Sequence, residues 1–184
     1  MKPTESKKLT DCIGNLPPLS MGFTSYLNTT IPIISEEKDI IIHQQGKPLN
    51  RILVIKSGLL VAFQTSNGEA NHIYYLWRSS ETVIFPYSFF KPYIDTDYFV
   101  QTLEPTSMWI IDEDQWKNLE QQFRQDIKLL QHALQINFIQ RLEELHKLRH
   151  MRNINKFKWY ESLYGRNLLR NEDVAAFLGF SSST

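Results

Sequence analysis

Hydrophobic residues between Asp126 and Met151 recur at steps of three and four, which is the spacing of one face of an α-helix. The stretch has no proline or glycine, and strong helix formers dominate it. A helix of this length extends for about 39 Å at ~1.5 Å per residue, so more than one neighbour must cover its apolar face. We interpret it as a long helix that connects one folded unit before it to another after it, and that packs beside the same helix of a second chain. A long core helix of a single domain is the alternative. Its apolar positions are Ile127, Leu130, Leu134, Phe138, Leu142, Leu145 and Leu148, with a second row at Leu129, Ala133, Ile136 and Ile139.

The chain from 29 to 112 carries short β-rich runs separated by turn residues instead. RILVIKSG, LLVAFQT and ANHIYYLWR each have the length and residue types of a strand. Asn67-Gly68 lies between the second and third of these runs, and Asn-Gly is a strong hairpin signal. The pattern predicts a β-sandwich, jelly roll or small barrel. His43 and His72 are isolated on these strands, so we expect no metal site there.

Composition narrows the class of protein. The chain has 184 residues, with 20 Lys plus Arg against 20 Asp plus Glu. Its single cysteine, Cys12, excludes an internal disulfide framework and any four-cysteine metal or iron–sulfur site. No signal peptide or apolar run of membrane-spanning length is present, so we expect a soluble cytoplasmic protein with no membrane partner.

Signals for catalysis are weak. No Ser–His–Asp or Cys–His set has local support, and no glycine loop of the phosphate-cradling type occurs. His146 and His150 have the i, i+4 spacing that can chelate a metal, but Lys147 and Arg149 disfavour a cation. We therefore expect exposed histidines, no catalytic residues, no metal, no cofactor and no enzymatic activity.

The end of the chain is its most specific part. LLRNEDVAAFLGFSSST predicts a helix, a tight turn at Gly179 and the start of a second helix capped by Ser181. This order is typical of a helix-turn-helix, whose second helix enters the major groove of DNA. Between residues 141 and 170 lysine and arginine outnumber acidic residues, which fits a DNA partner. A helix–glycine–helix corner of an ordinary core is the alternative.

A β-rich body, a long helix and VAAFLGFSSST together resemble the Crp/Fnr (catabolite activator) family of bacterial transcription regulators. DIIIHQQGKPLNRILVIKSGLLVAFQTSNGE resembles the opening of that family's cyclic-nucleotide-binding β-roll, with Gly46 and Ser57-Gly58 at recurring positions. The missing iron–sulfur cysteines and YESLYGRNLLRNEDVAAFLGFSSST resemble the branch common in Bacteroidetes-type bacteria.

The resemblance implies an α+β fold. It would comprise an N-terminal double-stranded β-roll (a cyclic-nucleotide-binding-like jelly roll), a long dimerisation helix and a truncated C-terminal winged helix-turn-helix. The expected divisions are an arm at 1–28, the β-roll at 29–112, a helical linker and dimerisation helix at 113–152, and a partial DNA-binding domain at 153–184.

The resemblance further implies a homodimer whose helices pair in parallel and whose heads read a near-palindromic DNA site. The expected dimer-interface residues are Leu130, Leu134, Asn137, Phe138 and Leu145, where Asn137 would fix the register. The expected DNA-binding residues are Arg170, Ser181, Ser182, Ser183 and Thr184.

The effector site departs from the family pattern. Phe85-Pro86 replace the Gly-Glu pair that holds the ribose, and Thr96-Asp97 replace the Arg-Ser pair that holds the cyclic phosphate. Asp97 places a negative charge near the phosphate position, and Pro86 lacks an N–H. We therefore predict a degenerate site that does not bind cAMP or cGMP. Phe89 belongs to an aromatic loop that either fills the vacated cavity or forms a pocket for an apolar or aromatic molecule.

The second helix of the motif stops one turn in, at Thr184, so we expect a chain cut short. The predicted function is a homodimeric, DNA-binding transcription regulator of the Crp/Fnr type, with RNA polymerase as a further partner and an unknown small-molecule effector or none. The alternative is a ligand- or protein-binding β-roll dimer without DNA-binding activity.

Overall fold

The computed structural model describes residues 7–64, 72–84, 97–166 and 168–180, and the structural statements below concern these residues. Eight antiparallel strands form two sheets. One sheet has the order β1-β8-β3-β6 and the other the order β2-β7-β4-β5. The strands are β1 (Ile33–Glu36), β2 (Ile41–His43), β3 (Arg51–Ser57), β4 (Leu59–Gln64), β5 (His72–Arg78), β6 (Thr82–Val83), β7 (Phe99–Thr102) and β8 (Thr106–Asp112).

Among the described residues, five α-helices surround this β-roll. They are α1 (Met21–Thr30), α2 (Glu113–Gln122), α3 (Arg124–His150), α4 (Asn153–Tyr164) and α5 (Asn171–Leu178), and a single 3₁₀ turn (Thr10–Cys12) precedes them. The predicted α+β class, the jelly-roll-like β-roll and the long helix are confirmed. In the described ranges, none of the helices is long and apolar enough to cross a membrane.

Local sequence explains several boundaries. Asp112 caps α2 by accepting a hydrogen bond from Gln115 N at 2.8 Å, while Gln115 Oε1 accepts one from Asp112 N at 2.9 Å. Helix α1 runs through Thr30. Ile31 then turns to extended backbone, as the residue before Pro32 is restricted to do.

The turn between β3 and β4 requires glycine. Gly58 has φ +96°, a conformation that L side chains rarely adopt. A Cβ there would lie 2.6 Å from Thr106 Cα and 2.7 Å from Pro105 O. The close approach of β8 to this turn therefore excludes any side chain.

Three apolar clusters hold the fold together. The interior of the β-roll contains Leu53, Ile55, Leu60 and Ala62. A second cluster packs the outer face of the first sheet on the N-terminal arm, α1, α2 and the first half of α3. A third packs the outer face of β4 and β5 on the end of α3 and on α4 and α5. The β-roll is thus covered on both outer faces, which explains why β3 and β4 are almost continuously apolar.

Candidate effector cavity and head junction

A cavity of about 160 Å³ lies between the β5–β6 turn, α3 and the N-terminal arm. Tyr75 and Trp77 project from the same face of β5, with stacked rings whose centroids are 5.3 Å apart. Ile84 and Phe138 complete the apolar part of the wall. Its polar lining consists of Ser80, Glu81, Thr82, Asn137, Gln140, Arg141 and Glu144. An aromatic wall with a few polar groups suits a small molecule with a flat, apolar body.

The N-terminal arm forms one side of this cavity. Asn15 Nδ2 donates hydrogen bonds to Asn137 Oδ1 at 2.7 Å and to Gln140 Oε1 at 2.8 Å. Asn137 Nδ2 in turn donates to Gly14 O at 2.8 Å. The arm is also fixed near the start of α3, where Ser20 Oγ donates to Asp126 at 2.7 Å. The side chain of Asn137 therefore binds the N-terminal arm of its own chain.

Arg141 connects the cavity to the C-terminal segment. Its Nη2 donates to Leu76 O and to Tyr164 Oη, both at 2.6 Å, and its Nη1 donates to Glu144 at 3.1 Å. Tyr164 Oη also donates to Leu76 O at 3.2 Å. One guanidinium thus joins α3, β5 and α4 at a single point, which we call the Arg141 junction.

Burial strengthens the electrostatic interactions between Arg141 and its neighbours at the junction. Only 12% of the Arg141 side chain is exposed. Burial opposes its charge, but Tyr164, Glu81 and the hydrogen bond to Glu144 outweigh that and raise the pKa of the guanidinium. Burial also raises the pKa of the Tyr164 hydroxyl, although Arg141 opposes the rise. Tyr164 is therefore a neutral donor and acceptor at physiological pH.

The two C-terminal helices, α4 and α5, pack directly on the β-roll, and we call them the head. Tyr160, Val174 and Leu178 share one buried cluster with Leu59, Val61, Phe63 and Leu76. Tyr160 is fully buried, and burial is the main cause that raises its pKa to about 12. The head and the β-roll consequently share a core, so the position of the head depends on the outer face of β4 and β5.

The predicted turn of the head has the expected geometry. Gly179 adopts the left-handed conformation (φ 69°, ψ 38°), and Phe180 N donates back to Ala175 O at 2.8 Å. Lys156, only 7% exposed, donates from Nζ to Leu178 O at 3.0 Å, so a cation stabilises the carboxyl end of α5. Arg170 precedes α5 and its exposed side chain bonds Asp173 Oδ2 at 3.0 Å. Ser181, Ser182, Ser183 and Thr184 lie outside the described residues.

Of the residues predicted for the effector site, the structure describes only Asp97. Phe85, Pro86, Phe89 and Thr96 lie outside the described residues, and Asp97 is exposed just before β7. None of the residues that line the cavity was predicted for the effector site. Asn137 and Phe138, which line it, were predicted for the dimer interface instead.

Two of the five residues predicted for the dimer interface pack inside their own chain. Leu130 and Leu134 are 0% and 1% exposed and pack in the cluster formed with their own β-roll, so no surface is left on them for a second subunit. Phe138 and Leu145 are half-buried. The sequence showed a stripe wide enough for two partners, but period alone does not reveal which row faces which partner. The exposed apolar residues of α3 are Leu129 (39%), Ile139 (53%) and Leu142 (41%).

The sequence reading also missed the Arg141 junction. A signal was present: Arg141 lies between Phe138 and Leu145 at three- and four-residue steps, on the buried stripe itself. A charged residue at such a position must be paired, because burying an unpaired charge is costly. Its partner Tyr164 is distant in sequence and could not be identified from spacing.

Comparisons with known proteins agree with this geometry. No family model matches the chain, and no curated protein matches it. Several solved structures match the chain in fold. A cyclic nucleotide-binding domain from Methylobacillus flagellatus is 14% identical with a TM-score of 0.63, covering 74% of this chain and 75% of that one. The c-di-GMP-responsive global regulator CLP of Xanthomonas campestris is 12% identical with a TM-score of 0.63, covering 88% and 86%. A protein from Eubacterium rectale, provisionally assigned to the Crp/Fnr transcriptional regulators, is 15% identical with a TM-score of 0.61, covering 89% and 78%.

The chain has the cyclic-nucleotide-binding fold. At these identities the likeness concerns the fold, and ligand and partner have to be argued from the residues of this chain. Within this fold, the described residues bring together a small-molecule cavity, a buried arginine and a docked head.

Proposed function

We propose that this protein is a DNA-binding transcription regulator of the Crp/Fnr type that acts as a homodimer. The observation that carries the proposal is the turn at Gly179, which ends the short helix α5, in a segment that follows the long helix α3 and a β-roll of the cyclic-nucleotide-binding fold. This order of parts supports a head that presents a second helix to the major groove. We further propose that RNA polymerase is a partner of this regulator and that the protein acts in the cytoplasm. We propose no catalytic step.

The homodimer is supported by the surface of α3. Ile139 and Leu142 are 53% and 41% exposed, and the half-buried Phe138 and Leu145 flank them. Fully burying such a side chain contributes roughly 1.5–3 kcal/mol, so covering the exposed halves of Ile139 and Leu142 on both subunits contributes about 4 kcal/mol. We name this surface the seam and define it by Phe138, Ile139, Leu142 and Leu145. It keeps Phe138 and Leu145 of the predicted interface and leaves out Leu130 and Leu134, which are buried in their own chain.

The effector is proposed to be neither cAMP nor cGMP. The cavity presents the carboxylates of Glu81 and Glu144, and the only cation in its described lining, Arg141, already bonds three groups. A cyclic phosphate needs opposed charge or free N–H donors, and against the two carboxylates this lining sets only the Arg141 guanidinium, whose buried Nε alone has no hydrogen-bond partner. The aromatic walls favour a small molecule with an apolar body, which would press on Arg141 and thereby on the head.

DNA binding by the intact protein is the test. Labelled promoter fragments and a random fragment are titrated at rising salt, with fluorescence anisotropy as the readout. Specific binding should persist after binding to the random fragment has been lost. If the two affinities converge at every salt concentration, the chain is a ligand- or protein-binding β-roll dimer without DNA-binding activity, which is the second candidate function.

The effector proposal has a separate test. Melting of the protein is followed with cAMP, with cGMP and with a panel of small aromatic compounds. We expect no shift from either nucleotide. A saturable rise with cAMP would overturn this part of the proposal while leaving DNA binding untouched.

A further inference from the structure

We propose that His146 and His150 form half of a divalent-metal site, which a second copy of α3 completes. The inference rests on the proposed homodimer. The two rings lie one helical turn apart at the end of α3, with centroids 4.7 Å apart and an interplanar angle of 63°. Both residues are exposed. Two histidines at i, i+4 present their nitrogens on one face, which is the spacing that binds zinc-class ions on helices.

The ring geometry fits a chelate. Zinc bonds imidazole nitrogen at about 2.0–2.1 Å, so a tetrahedral ion holds two ligand nitrogens roughly 3.3 Å apart. Rings whose centroids are 4.7 Å apart reach that spacing by side-chain rotation alone. The backbone of α3 does not have to move.

One chain supplies too few ligands for a closed site. Within the described ranges, no group of three or more histidine, cysteine or acidic side chains gathers around one point. The pair nevertheless lies in line with the seam: His146 follows Leu142 by four residues and Ile139 by seven, and His150 follows His146 by four. Parallel pairing along the seam brings the two histidine pairs opposite each other. Four imidazoles then meet the tetrahedral preference of zinc.

The local charge also permits a cation, contrary to the sequence-based expectation. Lys147 and Arg149 are positive, but Glu143 lies one turn before His146 on the same side of the helix. His150 is the last residue of α3, where the helix dipole favours positive charge. The anionic end of the helix and the nearby carboxylate offset the two basic neighbours.

The position of the site suggests its consequence. Arg152, two residues after His150, is the N-cap of α4, the first helix of the head. A metal bridging the two histidine pairs would fix the distance between the last turns of the two α3 helices. It would thereby fix the separation of the two heads, making the dimer sensitive to zinc-class ions.

The test uses intact protein without a histidine tag, stripped of metal with a chelator. Calorimetric titration with Zn²⁺ should give one ion per two chains, and Co²⁺ should give the intense visible absorption of tetrahedral coordination. His146→Gln and His150→Gln should each weaken binding by on the order of 100-fold or more, since losing a ligand costs at least as much as losing the hydrogen-bond partner of one. His132→Gln is the matched control, an exposed histidine on α3 outside the pair, and should bind as the parent does.

Sedimentation, with and without metal, distinguishes a failure of the metal-site proposal from a failure of the homodimer proposal. A metal-free dimer that binds no Zn²⁺, or that binds one ion per chain unaffected by His146→Gln, overturns the metal site and leaves the homodimer intact. A protein that stays monomeric at micromolar concentration both without metal and with Zn²⁺ overturns the homodimer itself. One ion per dimer, lost in both variants and retained in the control, supports the site.

Discussion

The Arg141 junction gives the sharpest stability prediction. Tyr164→Phe removes a single oxygen that accepts from Arg141 at 2.6 Å and donates to Leu76 O at 3.2 Å. The guanidinium, 12% exposed, then keeps its bonds to Leu76 O and Glu144 but loses its third partner. Hydrogen bonds to charged groups contribute about 1.5–3 kcal/mol, so we expect a loss of about 2 kcal/mol. For a chain of this size that lowers the Tm by roughly 4–8 °C.

The control and the refuting result come from the same kind of change at another tyrosine. Tyr74→Phe removes a hydroxyl that donates to Gln64 at 2.9 Å from a side chain that is 38% exposed, and should cost no more than about 0.5 kcal/mol. Urea unfolding measures both variants. A double-mutant cycle of Tyr164→Phe with Arg141→Met should show a coupling of about 1–3 kcal/mol. Equal losses in the two tyrosine variants, or strictly additive effects in the cycle, would refute the junction.

Three further changes test other parts of the account. Leu142→Asp places a charge in the seam and should give a monomer in sedimentation, whereas Met21→Asp, at a side chain that is 90% exposed, should leave the assembly unchanged. Gly58→Ala should lower stability by more than about 2 kcal/mol in urea unfolding, because its Cβ would meet Thr106 backbone 2.6 Å away; a loss under about 0.5 kcal/mol would contradict that. The raised pKa of Tyr160, about 12 against an ordinary value of 10.0, means that the folded state holds this proton more tightly than the unfolded state. Its contribution to stability is present below pH 10 and is lost as pH rises to about 12; this part of the alkaline slope should vanish in Tyr160→Phe.

Local patterns predicted much of the fold. The helix expected between Asp126 and Met151 runs from Arg124 to His150, and the strands RILVIKSG and LLVAFQT are β3 and β4. Gly179 could be assigned to the turn because a left-handed residue after an amphipathic helix is a local requirement. Each of these features follows from neighbours within a few residues, which sequence reveals.

Features that depend on tertiary packing were harder to predict. Leu130 and Leu142 belong to the same apolar stripe, yet one is fully buried and the other is 41% exposed. Which row faces the β-roll is decided by where the first sheet lies, and that information is distributed over distant residues. The same holds for the contact between Arg141 and Tyr164, which α4 brings together. The cavity is likewise formed by three segments far apart in sequence, the arm, the β5–β6 turn and α3.

Footprinting of the intact protein on genomic DNA tests the central claim most directly. A homodimeric regulator with two heads should protect paired half-sites of near-palindromic sequence, with centres one helical turn (about 10–10.5 base pairs) or a multiple of it apart. The protection should be unchanged by cAMP or cGMP, and it should be lost in the monomeric Leu142→Asp variant. Protection of single, unpaired sites, or none at all above the random background, would contradict the account.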